Sequence, residues 1–309
     1  MLTCHRFGSE PADAAKDGAW FDLADPSDEE RTRVEHATGL RLPSRERIRG
    51  VELSSRVGVE GDALYLNVPF FAHEADQPPT PVGIAVDAKH LVTIRYAESP
   101  AFAQAAEAIA AYTGPGDGAD AFVALIEQIV GQLADRMEET AVKTGALSTK
   151  ILDERTHRTA MLRATLGEVG RLESRMTRAR LTSTGLMRVL LFAQESAPDW
   201  FDKKRLARVK TAHRDLDVLC ELDAQLTEKL QFLLDAVLGF INIDQNDVMK
   251  IMTVASVVSI PPIVLVGIWG MNFAHMPELK WPYGYPMALT VIALSVLLPI
   301  LWFKRRGWL

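Results

Sequence analysis

The chain predicts an α+β membrane protein: an N-terminal α/β domain, then a very long helix that continues into the first of two C-terminal transmembrane helices. Three observations predict it. Residues 1–100 alternate short apolar runs with turn residues. No proline occurs after Trp200 until Pro261. Two apolar runs close the chain: 248–268, charged only at Lys250, and 287–303, which carries no charge. About 20 apolar residues suffice to cross a bilayer core as a helix, and two spans joined by so short a link form a membrane hairpin.

In the first hundred residues, 20–23 (WFDL) reads as a strand. Ser27 followed by Glu30 is a capping box that opens a helix over 31–38. Strands at 55–59 and 63–69 flank a Gly61-Asp62 hairpin turn. A second pair, 83–86 and 91–95, flanks residues 87–90. Residues 77–81 hold three prolines and read as an exposed loop. Helix begins at 102–112 and is broken by GPGDG at 114–118. Residues 119–160 then place Phe122, Leu125, Ile126, Ile129, Val130 and Leu133 at spacings of three and four. A second long helix, rich in arginine, covers 162–194. Ala197-Pro198-Asp199 ends it, and Asp199 is positioned to cap the next. That next helix spans about 60 residues, roughly 90 Å at 1.5 Å per residue. The organisation is therefore 1–100, α/β domain; 101–197, helical part; 198–268, stalk helix and first span; 269–285, link; 286–304, second span; 305–309, basic tail.

The chain has 309 residues, a net charge of −6 and 48% hydrophobic residues, room for a soluble domain and the hairpin. Residues 1–15 lack the apolar core of a cleavable signal. Cys4 and Cys220 match no zinc or redox spacing and read as unpaired thiols in a reducing compartment. No Gly-rich phosphate loop, HExxH or clustered His/Cys set points to an enzyme, and no nucleic-acid partner is expected. Lys304, Arg305 and Arg306 follow the second span. The positive-inside rule then puts both termini in the cytoplasm and the link outside, with Trp281, Tyr283 and Tyr285 at the outer interface and Trp302 and Trp308 at the inner one.

Steps of four and three along the long helix join Asp235, Gly239, Asn242, Asn246, Met249, Thr253, Ser256, Ile260, Ile263, Gly267 and Gly270. So sustained a heptad implies a left-handed bundle of parallel copies. The stripe is small and largely polar. Inside a membrane such a stripe faces protein or water, and in a symmetric ring each polar position becomes a girdle around an axis. The competing account is close packing of two or three helices through small residues.

Gly270-Met271-Asn272 with Phe273, Met276-Pro277-Glu278-Leu279, Trp281 and Tyr283-Gly284-Tyr285-Pro286 resembles the GMN-type divalent-cation channels of the CorA family. NDVMK at 246–250, the basic tail 304–309, and WFDL with Asp25-Pro26-Ser27 extend the resemblance. It implies a homopentameric funnel in a bacterial inner membrane, taking up Mg2+, and Co2+ or Ni2+, passively along the membrane potential. It places the mouth at Gly270, Met271 and Asn272, and a hydrophobic gate at Met249, Met252 and Ile260. Asp235, Asn242, Asn246, Thr253, Ser256, Ile263 and Gly267 would line the pore, with Asn272, Asn246 and Asp235 as cation-contacting positions. Glu278 in the external loop would raise the local cation concentration.

No cofactor is expected beyond the transported ion. The sequence departs from the family pattern at Ile263, where relatives often carry threonine, at the doubled proline Pro262, and at Trp269 in place of a tyrosine. These departures bear on selectivity. Some superfamily members move Zn2+, with possible proton coupling, and His275 in the loop would suit Zn2+. A regulatory role for cytoplasmic Mg2+, bound between subunits, would use Asp215, Asp217, Glu221 and Asp223 along the stalk. The remaining alternative is a non-conducting adaptor, a rod anchored by the hairpin.

Overall fold

The computed structural model describes residues 1–12, 19–49, 57–70, 80–152, 159–196, 199–273, 276–277 and 281–308. The chain divides into two compact units. One joins Met1–Leu152 with Thr165–Leu234, and the other joins Asp153–Ala164 with Asp235–Leu309.

The first unit is built on a seven-stranded sheet. Its strands are β1 (Leu2–Arg6), β2 (Ser9–Ala12), β3 (Trp20–Ala24), β4 (Val57–Glu60), β5 (Ala63–Phe70), β6 (Thr80–Val86) and β7 (Leu91–Arg95). Their spatial order is β2-β1-β3-β7-β6-β5-β4. Only the central pair, β3 with β7, is parallel. Both central strands are buried on both faces, as strands between two layers must be. One face carries Cys4, Phe21, Leu23, Val92 and Ile94. It packs with Val34 of α1 (Asp28–Thr38) and Ile48 of α2 (Arg45–Arg49). On the other face Trp20 meets Phe102 of α3 (Pro100–Ala111) at 6.0 Å between ring centres.

The capping box opens α1 as its sequence predicts. The Glu30 N–H donates to Ser27 Oγ, and the Ser27 N–H donates to Glu30 Oε2. Gly39, at φ +75°, closes the helix in the left-handed conformation that favours glycine. The two predicted hairpins form, β4–β5 across Gly61 and β6–β7 across residues 87–90. The predicted proline-rich loop at 77–81 is corrected at its end. Thr80 and Pro81 belong to β6, with Pro81 opposite Pro69 at the start of the ladder, where a missing N–H is tolerated. Residues 77–79 and 55–56 lie outside the described residues. The hairpin β1–β2 was not anticipated by the periodicity.

Three long helices follow: α4 (Gly118–Leu152), α5 (Thr159–Ser196) and α6 (Lys203–Trp269). The apolar stripe Phe122, Leu125, Ile126, Ile129, Val130 and Leu133 of α4 is buried. The cap of α6 is Asp202 rather than Asp199: the Arg205 N–H donates to Asp202 Oδ1 at 2.7 Å. Residues 199–201 are turn and bend, so the chain needs three more residues before it becomes helical. Two arginines in the first turns of α6 hold the head of α4. Arg205 Nη2 reaches Asp117 at 2.8 Å and Asp120 at 2.9 Å, and Arg208 pairs with Glu127 through two hydrogen bonds.

The start of α4 presses against the β6–β7 turn. The Gly118 N–H donates to the Lys89 carbonyl at 2.8 Å, and a Cβ at Gly118 would meet the His90 backbone at 2.3 Å. Backbone cannot yield as a side-chain tip can, so Gly118→Ala must displace α4. We expect a loss of about 2 kcal/mol, typical of overpacking, read as a lower thermal midpoint. An unchanged midpoint would show that the turn gives way freely.

In the second unit α6 runs without a break through Pro261 and Pro262. Each ring removes one N–H from the helical ladder, so the carbonyls of Val257 and Val258 lose their usual donors. The last helix, α7, is Gly284–Arg305.

Candidate ion pathway

Two helices are long and apolar enough to cross a membrane, α6 and α7, with mean hydropathy 2.3 and 2.2 over their most apolar windows. Only 6% of each window is buried, so these are not core helices of a soluble fold. Aromatic residues stand at both ends. Trp281 and Tyr283 make an edge contact near the start of α7. At its far end Trp302 and Phe303 do the same, Arg306 lies 4.8 Å from the Trp302 ring centre, and Trp308 stacks on Phe303. Amphipathic rings in these positions suit membrane interfaces.

The heptad stripe lies on one exposed stretch of α6. Asp235, Asn242, Asn246, Thr253, Ser256, Ile263 and Gly267 are all exposed in the single chain. Met249 is 61% exposed and Ile260 57%. At roughly 100° per residue Met249 and Ile260 fall within about 20° of each other. Met252 sits about 60° to one side, a flank of the stripe rather than its centre. Val254, about 140° from Met249, is buried.

The hydroxyls on the stripe turn back on their own helix. Thr253 Oγ1 donates to the Met249 carbonyl at 2.8 Å, and Ser256 Oγ donates to the Met252 carbonyl at 2.9 Å. With its proton committed, each hydroxyl has only oxygen lone pairs left to offer outward. Lone pairs are what a cation, or the waters around it, can use.

At the top of α6 the helix ends at Trp269. The Gly270 N–H donates to Val266 O at 2.9 Å, and the Met271 N–H to Ile268 O at 3.3 Å. Asn272 follows, exposed, its amide without a hydrogen-bond partner among the described residues. The structure thus brings Gly270, Met271 and Asn272 to the helix terminus. Glu278, Lys280 and His275 lie outside the described residues.

At the other end of the span, Trp308 shares a cleft of about 410 Å³ with Asn246, Asp247, Met249, Lys250 and Thr253. Sequence reasoning placed Trp308 at the interface but not beside the stripe. Lys250 is paired with Asp247 at 2.8 Å. The proposed acidic set on the stalk needs one correction. Asp223 is buried and ion-paired to Arg180 at 2.5 Å, so it does not share the open face of Asp215, Asp217 and Glu221. Among the described residues no three His, Cys, Asp or Glu side chains converge as a metal site within one chain requires.

Comparison with known proteins adds to this geometry. Residues 15–305 match the family model described as CorA-like Mg2+ transporter protein. The magnesium transport protein CorA of Sodalis glossinidius is 33% identical over 315 residues, covering 100% of this chain and 98% of its own. Among solved structures, the complete CorA magnesium transporter of Methanocaldococcus jannaschii superposes with a TM-score of 0.77 at 18% identity, covering 100% of this chain and 99% of its own. The full-length CmaX protein gives 0.70 at 15% identity, covering 99% and 97%. At those identities the structures speak for the fold alone.

Proposed function

Since this chain belongs to the CorA-like Mg2+ transporter family, we propose that it carries Mg2+ across a membrane, passively and down the electrical potential. The observation that carries the proposal is the exposed, small, largely uncharged stripe along α6, which ends at the amide of Asn272, exposed and without a hydrogen-bond partner among the described residues. Mg2+ is small, octahedral and slow to lose water. A mouth that must admit and release it does best to hold the hydrated ion through its waters. Neutral amide and carbonyl oxygens grip less than carboxylates, and conduction requires binding weak enough to leave. Copies of α6 in a homopentamer would place Asn272 and the Gly270 and Met271 backbone at the mouth. Thr253, Ser256, Asn246 and Asn242 would line the path, with Ile263 and Gly267 as its neutral stretches. Asp235 would form a carboxylate ring at the exit.

Met249, Met252 and Ile260 would act as the gate. A narrow apolar ring stops ions by dewetting, and a small rotation of each helix reopens it. Met252 on the flank is the position such a rotation would bring in or out. The driving force is about 4.6 kcal/mol for a divalent ion per 100 mV, twice that of one elementary charge. Both termini would then lie in the cytoplasm, in a bacterial inner membrane, with Glu278 outside.

The test is uptake by the purified protein in liposomes, with Mg2+, Co2+, Ni2+ and Zn2+ offered separately, with and without a proton gradient. Mg2+ should enter under an inside-negative potential, followed by Co2+ and Ni2+, with no response to the proton gradient. Zn2+ entry that requires a proton gradient, with no Mg2+ entry, would replace this reading with proton-coupled Zn2+ transport.

A further inference from the structure

We infer that the N-terminal domain holds a binding site for a small zwitterion of the α-amino-acid class with a short aliphatic side chain, in a cavity between the sheet and α3. The cavity has a volume of about 430 Å³, and His5, Asp22, Arg95, Glu98 and Phe102 are among its walls. It is separate from the α6 stripe in sequence and in chemistry.

Strand register builds the polar wall. Thr3 lies opposite Asp22, and His5 opposite Trp20, so all four side chains share one face of the sheet. The parallel partner β7 sets Thr93 beside Asp22 and Arg95 beside Ala24. Asp22 is fully used: Oδ1 accepts from Thr93 at 2.8 Å, and both oxygens accept from Arg95. Arg95 is not. Of its five N–H donors, Nε and Nη2 serve Asp22 and Nη1 serves the Ala97 carbonyl. Among the described residues two donors therefore remain on a guanidinium that borders the cavity.

His5 supplies the independent observation. It is 8% exposed, its ring is held 4.5 Å from that of Trp20, and the imidazole has no hydrogen-bond partner among the described residues. The ring lines the cavity, so its nitrogens are open to a ligand there. Burial holds its pKa below the ordinary histidine value, against the pull of Asp22. The ring is therefore neutral near pH 7, with one nitrogen donating and one accepting.

Charge selects the ligand class. The Asp22–Arg95 pair is neutral as a unit, and Glu98 adds a carboxylate at the exposed rim. A plain anion would meet the Glu98 carboxylate, and a plain cation would leave the spare Arg95 donors unanswered. A molecule with both charges fits: its carboxylate takes the spare Arg95 donors and His5, and its ammonium takes Glu98. Phe102, Ala103 and Ala106 give the aliphatic part an apolar wall. A mostly apolar pocket with few placed polar groups is the usual form of a small-molecule site.

The experiment uses the full-length protein in lipid nanodiscs. Diethyl pyrocarbonate acylates neutral imidazole, and trypsin releases His5 within the peptide 1–6 for mass spectrometry. Exposed His36 reports reagent consumption in the same sample. Saturating L-leucine should slow His5 modification at least five-fold and leave His36 unchanged. At the same concentration 4-methylvalerate, which lacks the ammonium, and isoamylamine, which lacks the carboxylate, should slow it less than two-fold. Glu98→Gln, at an exposed position, should weaken leucine protection about ten-fold. Ala106→Leu, which fills the cavity, should abolish it. Absence of protection by leucine, equal protection by the singly charged analogues, or a His5 that does not react at all in the assembled protein would each overturn the assignment. None of these outcomes bears on ion transport.

Discussion

Asn272→Ala should abolish Mg2+ uptake into proteoliposomes while leaving the fold intact. The side chain is exposed and has no hydrogen-bond partner among the described residues, so its loss removes no contact that holds the chain together. Surface changes of this kind shift stability by about 0.5 kcal/mol or less. Its expected cost lies elsewhere. In the proposed homopentamer, the substitution deletes five amides that would hydrogen-bond the waters of the entering ion. At about 1 kcal/mol for each hydrogen bond the ring loses about 5 kcal/mol, a fall in uptake on the order of 10³-fold. Asn272→Asp is the informative companion. A carboxylate ring should bind the ion more tightly and release it more slowly, so uptake should saturate at lower Mg2+ with a reduced maximal rate. Uptake by Asn272→Ala within two-fold of the unmodified protein would remove the mouth from Asn272, whatever else the chain transports.

The residues that make this argument were legible because membranes leave few solutions. An apolar run of span length, a polar heptad within it and a Gly-Met-Asn exit are local patterns, and α6 and α7 reproduce them. The capping box at Ser27 was equally local. What escaped notice depends on pairing across distance. LTCHR at residues 2–6 is too short for a period of two to stand out, and it becomes a strand because β3 supplies four backbone partners in register. The pocket of His5, Asp22 and Arg95 draws on residues up to 90 positions apart and exists only through the parallel pairing of β3 with β7. Asp199 and Asp202 are equivalent caps by residue type, and the turn at 199–201 decides between them. Pro261 and Pro262 mark a helix boundary by every local rule, yet α6 continues for seven residues beyond Pro262. The surrounding apolar run has no better way to satisfy its backbone inside a bilayer than to remain helical.

Arg205→Met should cost the N-terminal unit about 2 kcal/mol, between the values for an exposed and a buried ion pair. Arg205 is 16% exposed and holds two carboxylates of the α4 head, while its Nη1 donates to the Trp200 carbonyl at 2.9 Å. Without it, Asp117 and Asp120 keep each other's backbone N–H groups but lose the cation between them. A loss of that size lowers the thermal midpoint by about 4–8 °C for a unit of this size. The deficit should also depend on pH, with a sign fixed by Asp120. Burial opposes ionisation of Asp120, but the Arg205 guanidinium outweighs it and holds the carboxyl below the ordinary value. A carboxyl depressed on folding stabilises the native state above its unfolded pKa, about 3.9, and that contribution is lost as the pH falls through the folded value. In Arg205→Met the strongest attraction is gone and only the Asp117 N–H and Arg208 still oppose burial, so Asp120 takes up its proton earlier and relieves the repulsion. The gap in midpoint between the two proteins should therefore be full at pH 7 and narrow steadily below about pH 4. A gap that stays constant down to pH 3 would mean that Arg205 works by packing alone. A gap near zero at pH 7 would mean that the α4 head is held by Arg208–Glu127 and the apolar contact of Phe122 with Phe201 without help from this ion pair.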